Sequence, residues 1–189
     1  LKTAIYTYDV GKSKEVALEE FFEYLHDHVA PIGVVTSADV FGYVTIHTDD
    51  LGIGQILERA LPYFDYIDPM VYPSHYNKGF AGLADVNADP YKVVKVSLDG
   101  AIARALATTT INNAFDETPI ASTSPKRYEK PVFAASKIRP WLQSFDYPVV
   151  YTPAMVAAQI KANEDAGLTS YLFWDAANKY NALRRVLAP

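Results

Sequence analysis

The stretch Asp68-Pro-Met-Val-Tyr-Pro-Ser-His-Tyr76 decides the fold prediction, because a short apolar strand ends in it and polar side chains follow at once. Pro73 stops the strand, since proline has no N–H for a ladder hydrogen bond. Tyr72, His75 and Tyr76 then lie at the beginning of a loop. Active sites of α/β barrels are found where parallel strands end. The stretch therefore predicts a site at the carboxyl edge of a parallel sheet.

Helices and strands alternate on both sides of this stretch. Apolar residues at helical spacing predict five helices, at 13–30, 51–61, 90–106, 152–167 and about 178–187, and apolar runs predict four strands, at 32–41, 66–72, 132–138 and 169–174. Nearly continuous apolar strands separated by helices are typical of a parallel sheet covered by helices. The fold class is therefore α/β. The polar segment 107–131 is unusually long for a link between a helix and a strand.

Composition excludes several classes of function. The 189 residues carry a net charge of −5, and no basic stripe could neutralise phosphates, so we expect no nucleic-acid partner. The chain has no Cys, which removes disulfides, thiolate metal sites and a Cys nucleophile. No apolar run approaches the roughly 20 residues of a membrane span. Since no ligand motif such as HExxH occurs, we also expect no metal and no cofactor.

Several motifs occur in one order along the chain. They are Ser37–Gly42 (SADVFG), Ile53–Gln55 (IGQ), Pro69–Tyr76 (PMVYPSHY), Pro90–Tyr91 (PY), Ile138–Gln143 (IRPWLQ) and Trp174. Together they resemble DUF4015, a bacterial family described as putative TIM-barrel glycoside hydrolases, over nearly the whole chain. The resemblance implies a (β/α)8 barrel and hydrolysis of a polysaccharide or other glycoside. It also favours an extracellular or cell-envelope location.

The family resembles an eight-stranded barrel whose fourth strand ends in a Phe-Asp-Tyr-Ile-Arg-Phe-Pro motif, which this sequence lacks. The resemblance therefore implies that residues 1–189 form one partial domain, the C-terminal half of a TIM barrel with strands five to eight. Residues 1–12 would be the loop after strand four. We expect a fragment of a longer chain whose N-terminal half closes the barrel. Pairing with a second chain, or dimerisation, would close it as well.

Asp39 is the candidate catalytic residue. Glycoside hydrolases usually place two carboxyl groups on either side of the scissile bond, and Asp39 lies at the carboxyl end of a predicted buried strand. A charge in such a position is costly unless it faces the site or is paired. The alternative is a structural aspartate that accepts hydrogen bonds from loop amides.

The candidate substrate-binding residues are aromatic or polar and lie at the predicted strand ends. They are Tyr72, His75, Tyr76, Arg139, Trp141, Gln143, Trp174 and Asp175. A histidine can bind a sugar hydroxyl, orient a carboxylate or transfer protons near neutral pH. Gln143 offers both a donor and acceptors, and Trp174 could form the flat floor of a sugar subsite.

Each of these assignments has a structural alternative. Arg139 could hold a carboxylate of the site, or it could form an ion pair with an aspartate inside the barrel. Asp68 lies early in its strand, which favours a structural role. Trp174 could fill the core, and Asp175 could cap the last helix.

The sequence leaves three functions open. They are carboxylate acid/base hydrolysis of a glycan, glycan binding by a non-catalytic barrel, and a scaffold or interaction role for a stand-alone half barrel. This chain has Ser144 where the family pattern tends towards Asp, and Asp175 where it tends towards Asn. Either difference would change substrate contacts or the local charge.

Overall fold

The computed structural model describes residues 11–115 and 118–188, so most of the predicted leading loop 1–12 lies outside the described residues. In this part of the chain the helices are α1 (Lys14–Val29), α2 (Leu57–Ala60), α3 (Pro90–Leu106), α4 (Pro153–Asp165) and α5 (Asn181–Leu187), and the strands are β1 (Ser37–Phe41), β2 (Tyr66–Met70), β3 (Thr109–Thr110), β4 (Tyr128–Glu129), β5 (Trp141–Gln143) and β6 (Leu172–Trp174). None of the described helices is long and apolar enough to cross a bilayer.

Four strands form a parallel sheet in the order β1-β2-β5-β6. The four strands follow one another in the sheet in the same order as in the chain, and each connection between them contains a helix. This arrangement is that of a partial barrel, and it confirms the predicted α/β class. β3 and β4 form a separate antiparallel pair.

The helices cover one face of the sheet. Ala38 and Val40 of β1, Ile67 of β2 and Leu142 of β5 are buried against them. The same cluster includes apolar residues of the helices, namely Leu57 and Ala60 of α2, Val94, Leu98, Ala101 and Ala105 of α3, Val156, Ile160 and Ala162 of α4, with Ala182, Leu183 and Val186 of α5 packed at its edge. α2 to α5 thus bury their apolar stripes on this face of the sheet.

The other face of the sheet, which we call the open face, carries the alternate residues of the strands. Along β1, the residues alternate strictly between exposed and buried, with Ser37, Asp39 and Phe41 exposed. Trp174 of β6 is also exposed, at 45%. Because side chains alternate along a strand, these residues point away from the helices. The functional candidates lie on this face.

The first strand prediction was wrong in extent. Predicted strand 32–41 begins only at Ser37, because residues Ala30–Ile32 form a 3₁₀ turn that ends at Gly33 with a φ of 77°. Val34 and Val35 beyond it are exposed, at 52% and 72%. An apolar run alone therefore did not mark the strand.

Predicted strand 132–138 was wrong in position, since the third strand of the main sheet is β5, at Trp141–Gln143. The Phe133 N–H donates to the carbonyl of Ala105 instead of a sheet partner. Ala135–Lys137 then form a 3₁₀ turn, and Ile138 makes only an isolated bridge to Ile67. The apolar run is thus used to pack a loop on the end of α3.

α3 has the predicted bounds, and the other remaining strands and helices are present with shorter bounds. α2 and α5 begin later than predicted, β2 ends at Met70, and β6 begins at Leu172. The polar segment 107–131 contains β3 and β4, which the sequence pattern did not predict.

Candidate active site

Two aspartates of the open face lie side by side. Asp39 of β1 and Asp68 of β2 are paired positions in the parallel register, so their side chains point to the same face of the sheet. Asp39 is exposed, whereas Asp68 is only 1% exposed. They are the only carboxylates that the four strands of the main sheet carry.

Asp68 is held in a two-pronged ion pair with Arg139. The Arg139 Nη2 donates to Asp68 Oδ2 at 2.9 Å, and Nε donates to Oδ1 at 3.2 Å. The guanidinium also lies over the Tyr66 ring, 4.2 Å from its centroid. The hydrogen bonding of Arg139 to Asp68 raises the pKa of Arg139, in spite of desolvation that acts against it. The Arg–Asp alternative considered for Arg139 is therefore present, and both Asp68 oxygens are occupied.

Asp39 is bound by an aromatic side chain instead of a cation. The Trp141 indole N–H donates to Asp39 Oδ1 at 2.8 Å. The Trp141 ring meets Trp174 of the next strand edge to face, with 6.1 Å between the ring centroids and 88° between the planes. Asp39, Trp141 and Trp174 form one row across the sheet, which we call the Asp39 row. An exposed acceptor oxygen beside two flat aromatic rings is an arrangement that can bind a sugar.

An open cleft of about 750 Å³ adjoins this row, and we call it the aromatic cleft. Its lining residues come from the ends of β1, β2 and β5 and the loops after them: Phe41, Gly42, Tyr43, Met70, Tyr72, Ser74, His75, Tyr76, Phe145 and Tyr147. Gly42 cannot carry a side chain, since a Cβ there would lie 2.5 Å from the Met70 carbonyl oxygen and from the Tyr76 hydroxyl. The backbone of β1 thus ends in direct contact with the loop after β2.

Tyr72 and His75 meet at the wall of this cleft. Their rings are 5.3 Å apart, and both contact Phe145, at 5.3 and 5.7 Å. Burial raises the pKa of Tyr72, and the negative charge of Asp39 adds to the effect. This electrostatic contact connects the cleft to the Asp39 row. Loss of water from one side of its ring lowers the pKa of His75, so His75 is neutral near pH 7.

Tyr76 forms the floor of the cleft. It is only 5% exposed, and its ring packs between Tyr43 and Phe80 with centroids at 4.7 and 4.4 Å. Its hydroxyl hydrogen-bonds with the Ser97 hydroxyl of α3 at 2.8 Å. Burial raises the pKa of Tyr76. Of the predicted binding residues, Tyr76 therefore shapes the cleft from below.

Gln143 is fully buried and joins two loops. Its Oε1 accepts from the Ser74 hydroxyl at 2.9 Å and from the Ser74 N–H at 3.2 Å. Its Nε2 donates to the carbonyls of Phe145 and Tyr147 at 3.1 and 3.2 Å. Both amide hydrogens are thus used within the protein, which gives Gln143 the role of a positioning residue. Contact of Gln143 with a sugar stays a prediction.

Asp175 organises the loop after β6. It is 8% exposed, and its two oxygens accept from the backbone N–H groups of Ala177 at 2.8 Å and Tyr180 at 3.1 Å. The loop ends at Tyr180, the residue before α5. Asp175 therefore holds the loop that leads to α5, and its contact with a sugar stays a prediction.

Sequence reasoning missed several cleft residues, above all Tyr43, Phe145 and Tyr147. Each is an aromatic residue placed shortly after a strand end, as Tyr72 and Tyr76 are. That signal was available for Tyr43. It was not available for the other two, because the third strand had been placed at 132–138. Among the described residues, no group of three or more His, Asp or Glu side chains could hold a metal ion.

Two comparisons with known proteins give a match. A family model described as "Putative glycosyl hydrolase domain" (DUF4015) matches residues 2–180. Among solved structures, the chain is similar to the PgaB (BpsB) glycoside hydrolase domain from Bordetella bronchiseptica, with 16% sequence identity and a TM-score of 0.49. The similarity covers 91% of this chain and 44% of that one, so the chain spans less than half of that structure's length. No curated protein sequence matches it.

Proposed function

Because this chain belongs to the DUF4015 family of putative glycosyl hydrolase domains, we propose that it hydrolyses a polysaccharide or glycoconjugate and that Asp39 is a catalytic carboxylate. The observation that carries the proposal is the Asp39 row. It combines an exposed carboxylate on the open face of the parallel sheet with two indole rings beside it. Carboxylates act directly on glycosidic bonds, and flat apolar rings suit the faces of sugars.

Trp141 binds and orients Asp39. The indole N–H of Trp141 points at Asp39 Oδ1, and a hydrogen bond to an anion is stronger than one to a neutral group. A carboxylate can take a proton from water or attack the anomeric carbon, depending on its distance from the second carboxyl group. Trp141 fixes the orientation of the carboxylate, and Trp174, which is half exposed, contacts the sugar.

The second carboxyl group comes from outside these four strands. Asp68 is the other carboxylate on them, and Arg139 occupies both of its oxygens. We propose that the four strands are strands five to eight of a TIM barrel. An N-terminal half, from the same longer chain or from a second chain, closes the barrel and supplies the missing acid. The open face and the exposed Phe41 on the edge strand β1 support this arrangement.

The test is hydrolysis of a glycan panel by the full-length protein and its Asp39→Asn variant. We expect kcat/KM to fall by about 10²–10⁴, which is the usual contribution of an acid/base group. Asp99→Asn is the matched control, since it removes an exposed carboxylate from the outer face of α3 and should leave turnover unchanged. Equal turnover by the Asp39→Asn variant would remove Asp39 from the mechanism.

Glycan binding without cleavage is the second candidate. The ion pair between Asp68 and Arg139 favours it, because only Asp39 is left as an available carboxylate on the main sheet. A binding protein would show saturable glycan binding by calorimetry and no release of reducing ends. In that case Trp174→Ala would weaken binding, and the Asp39→Asn variant, like the wild type, would release no reducing ends.

A further inference from the structure

The aromatic cleft is chemically unlike a surface for charged sugars. The described residues that line it include no Lys, Arg, Asp or Glu. Its walls are mainly rings, contributed by Phe41, Tyr43, Phe145 and Tyr147. An unscreened charge on a ligand would lose its water here and find no counter-ion. The cleft therefore selects uncharged groups.

Three polar side chains of the cleft are already bound to the protein, and the His75 ring and the hydroxyls of Tyr72 and Tyr147 remain for a ligand. The Tyr43 hydroxyl accepts from the Asn77 N–H at 2.7 Å, the Ser74 hydroxyl donates to Gln143, and the Tyr76 hydroxyl is paired with Ser97. A sugar ring placed deep in the cleft would leave hydroxyls without partners, and such groups are costly to bury. The cleft suits an apolar group with one polar atom.

His75 can serve that one polar atom. Its ring nitrogens make no hydrogen bond within the described part of the chain, and its ring is fixed by Tyr72 and Phe145. The neutral form of His75 has one N–H donor and one acceptor. A neutral donor beside apolar rings can bind a carbonyl oxygen, because that oxygen needs a single donor and no counter-charge.

The cleft lies where a substituent of a bound glycan could reach it. Phe41, which lines it, is two residues beyond Asp39 on the same face of β1. Met70, which also lines it, is the register partner of Trp141. Its volume of about 750 Å³ lies within the range of roughly 300–1,000 Å³ that small-molecule sites occupy. A glycan held on the Asp39 row would thus lie at the edge of the cleft.

We propose that the aromatic cleft binds an acyl substituent carried by an uncharged sugar residue of the glycan, with His75 donating a hydrogen bond to the acyl carbonyl oxygen. The methyl or longer alkyl part of the substituent packs between Phe145, Tyr147 and Tyr43. This inference rests on the proposed function and adds the class of substrate: neutral glycans with ester-linked or amide-linked acyl groups.

The experiment measures binding by calorimetry on the full-length protein, with two pairs of uncharged oligosaccharides. In one pair, only one member carries an O-acetyl group. In the other pair, one member has a 2-acetamido group where the other has a 2-hydroxyl group. For at least one pair, we expect the acetylated form to bind about tenfold tighter or more, as a buried apolar group usually gives. Tyr147→Ser should remove most of this preference, because it removes one wall of the cleft. His75→Phe, which keeps a flat ring but loses the donor, should reduce it as well.

Tyr24→Ser is the matched control. Tyr24 and Tyr147 are the same residue type with the same exposed fraction, 58%, but Tyr24 lies on α1 and does not line the cleft. Both variants should fold, and Tyr24→Ser should keep the full preference. Equal affinities within both pairs, or a preference that survives Tyr147→Ser and His75→Phe together, would overturn the inference.

Asp39→Asn separates this inference from the proposed function. If both the proposed function and the cleft inference hold, the Asp39→Asn variant loses hydrolysis but keeps the preference for the acetylated ligand. If a preference persists while Asp39→Asn still hydrolyses the glycan, the catalytic assignment fails and the cleft assignment stands. If hydrolysis depends on Asp39 and no preference exists, the reverse is true.

Discussion

Asp39 and Asp68 are the same residue type, at paired positions on neighbouring strands of one face, yet their surroundings are opposite. Asp68 is buried, and both of its oxygens bind one guanidinium. Asp39 is exposed, and one of its oxygens binds an indole N–H. The difference teaches that the inner strand β2 uses its carboxylate for stability, while the edge strand β1 leaves one available for chemistry.

Arg139→Leu is the change with the largest expected effect on stability. It would leave the buried Asp68 carboxylate without its partner, and losing one member of a buried pair costs about 3–5 kcal/mol of unfolding free energy. Because the Arg139 side chain is 21% exposed, we expect the lower end of this range, measured by urea denaturation. Adding Asp68→Asn to the variant should restore part of the loss. A loss below about 1 kcal/mol would show that the pair does not differ energetically from a surface pair.

Trp141→Phe should affect catalysis more than stability. It removes the hydrogen bond to Asp39 but keeps an aromatic ring against Trp174, so the unfolding free energy should fall by only about 1 kcal/mol. Misplacement of the Asp39 carboxylate should lower kcat by up to roughly a hundredfold. Steady-state kinetics on the full-length protein measures this. Trp174→Phe is the control, since it leaves the hydrogen bond intact; if it lowers kcat as much, the hydrogen bond is not what matters.

The smallest expected effect is a pH dependence that belongs to His75 in the loop after β2. Its pKa is lowered in the folded protein, so the unfolded chain binds a proton more readily between the folded pKa and the ordinary value of about 6.5. The stability of the wild type should therefore fall as the pH drops through that window. His75→Gln should lose less stability between about pH 7 and pH 5. Parallel pH profiles for the two proteins would refute this expectation.

The sequence predicted the kinds of elements better than their limits. The helix beginning at Pro90 was predicted correctly at both ends, because proline at the first position and a long apolar stripe mark it. The run Val132–Ile138 was mistaken for a strand, because an apolar run does not reveal whether its N–H groups bind a sheet or a neighbouring helix end. The β3–β4 pair was missed since each strand has only two residues.

The candidate site was predicted in part. Asp39, Trp141 and Trp174 were all named, and they do lie together on the open face. The local sequence of Gln143 and Asp175 did not show that their polar groups would be used by Ser74, Phe145, Tyr147 and the loop before α5. The pairing of Gln143 with Ser74 joins loops that are far apart in the chain, so no local pattern contains it. The other pairings are local, but they form only in the conformation that each loop takes after its strand.

By itself, the sequence determined the α/β class, the family and the concentration of aromatic and polar residues at the strand ends, because these follow from periodicity, prolines and ordered motifs that each act over a few residues. Only the tertiary structure decided which aspartate is available. Arg139, just before β5, lies 71 residues beyond Asp68 in the chain, and Trp141 of β5 lies 102 residues beyond Asp39. Their reach across the sheet gives one carboxylate a cation and the other a single indole N–H, and that contact exists only after the strands have aligned.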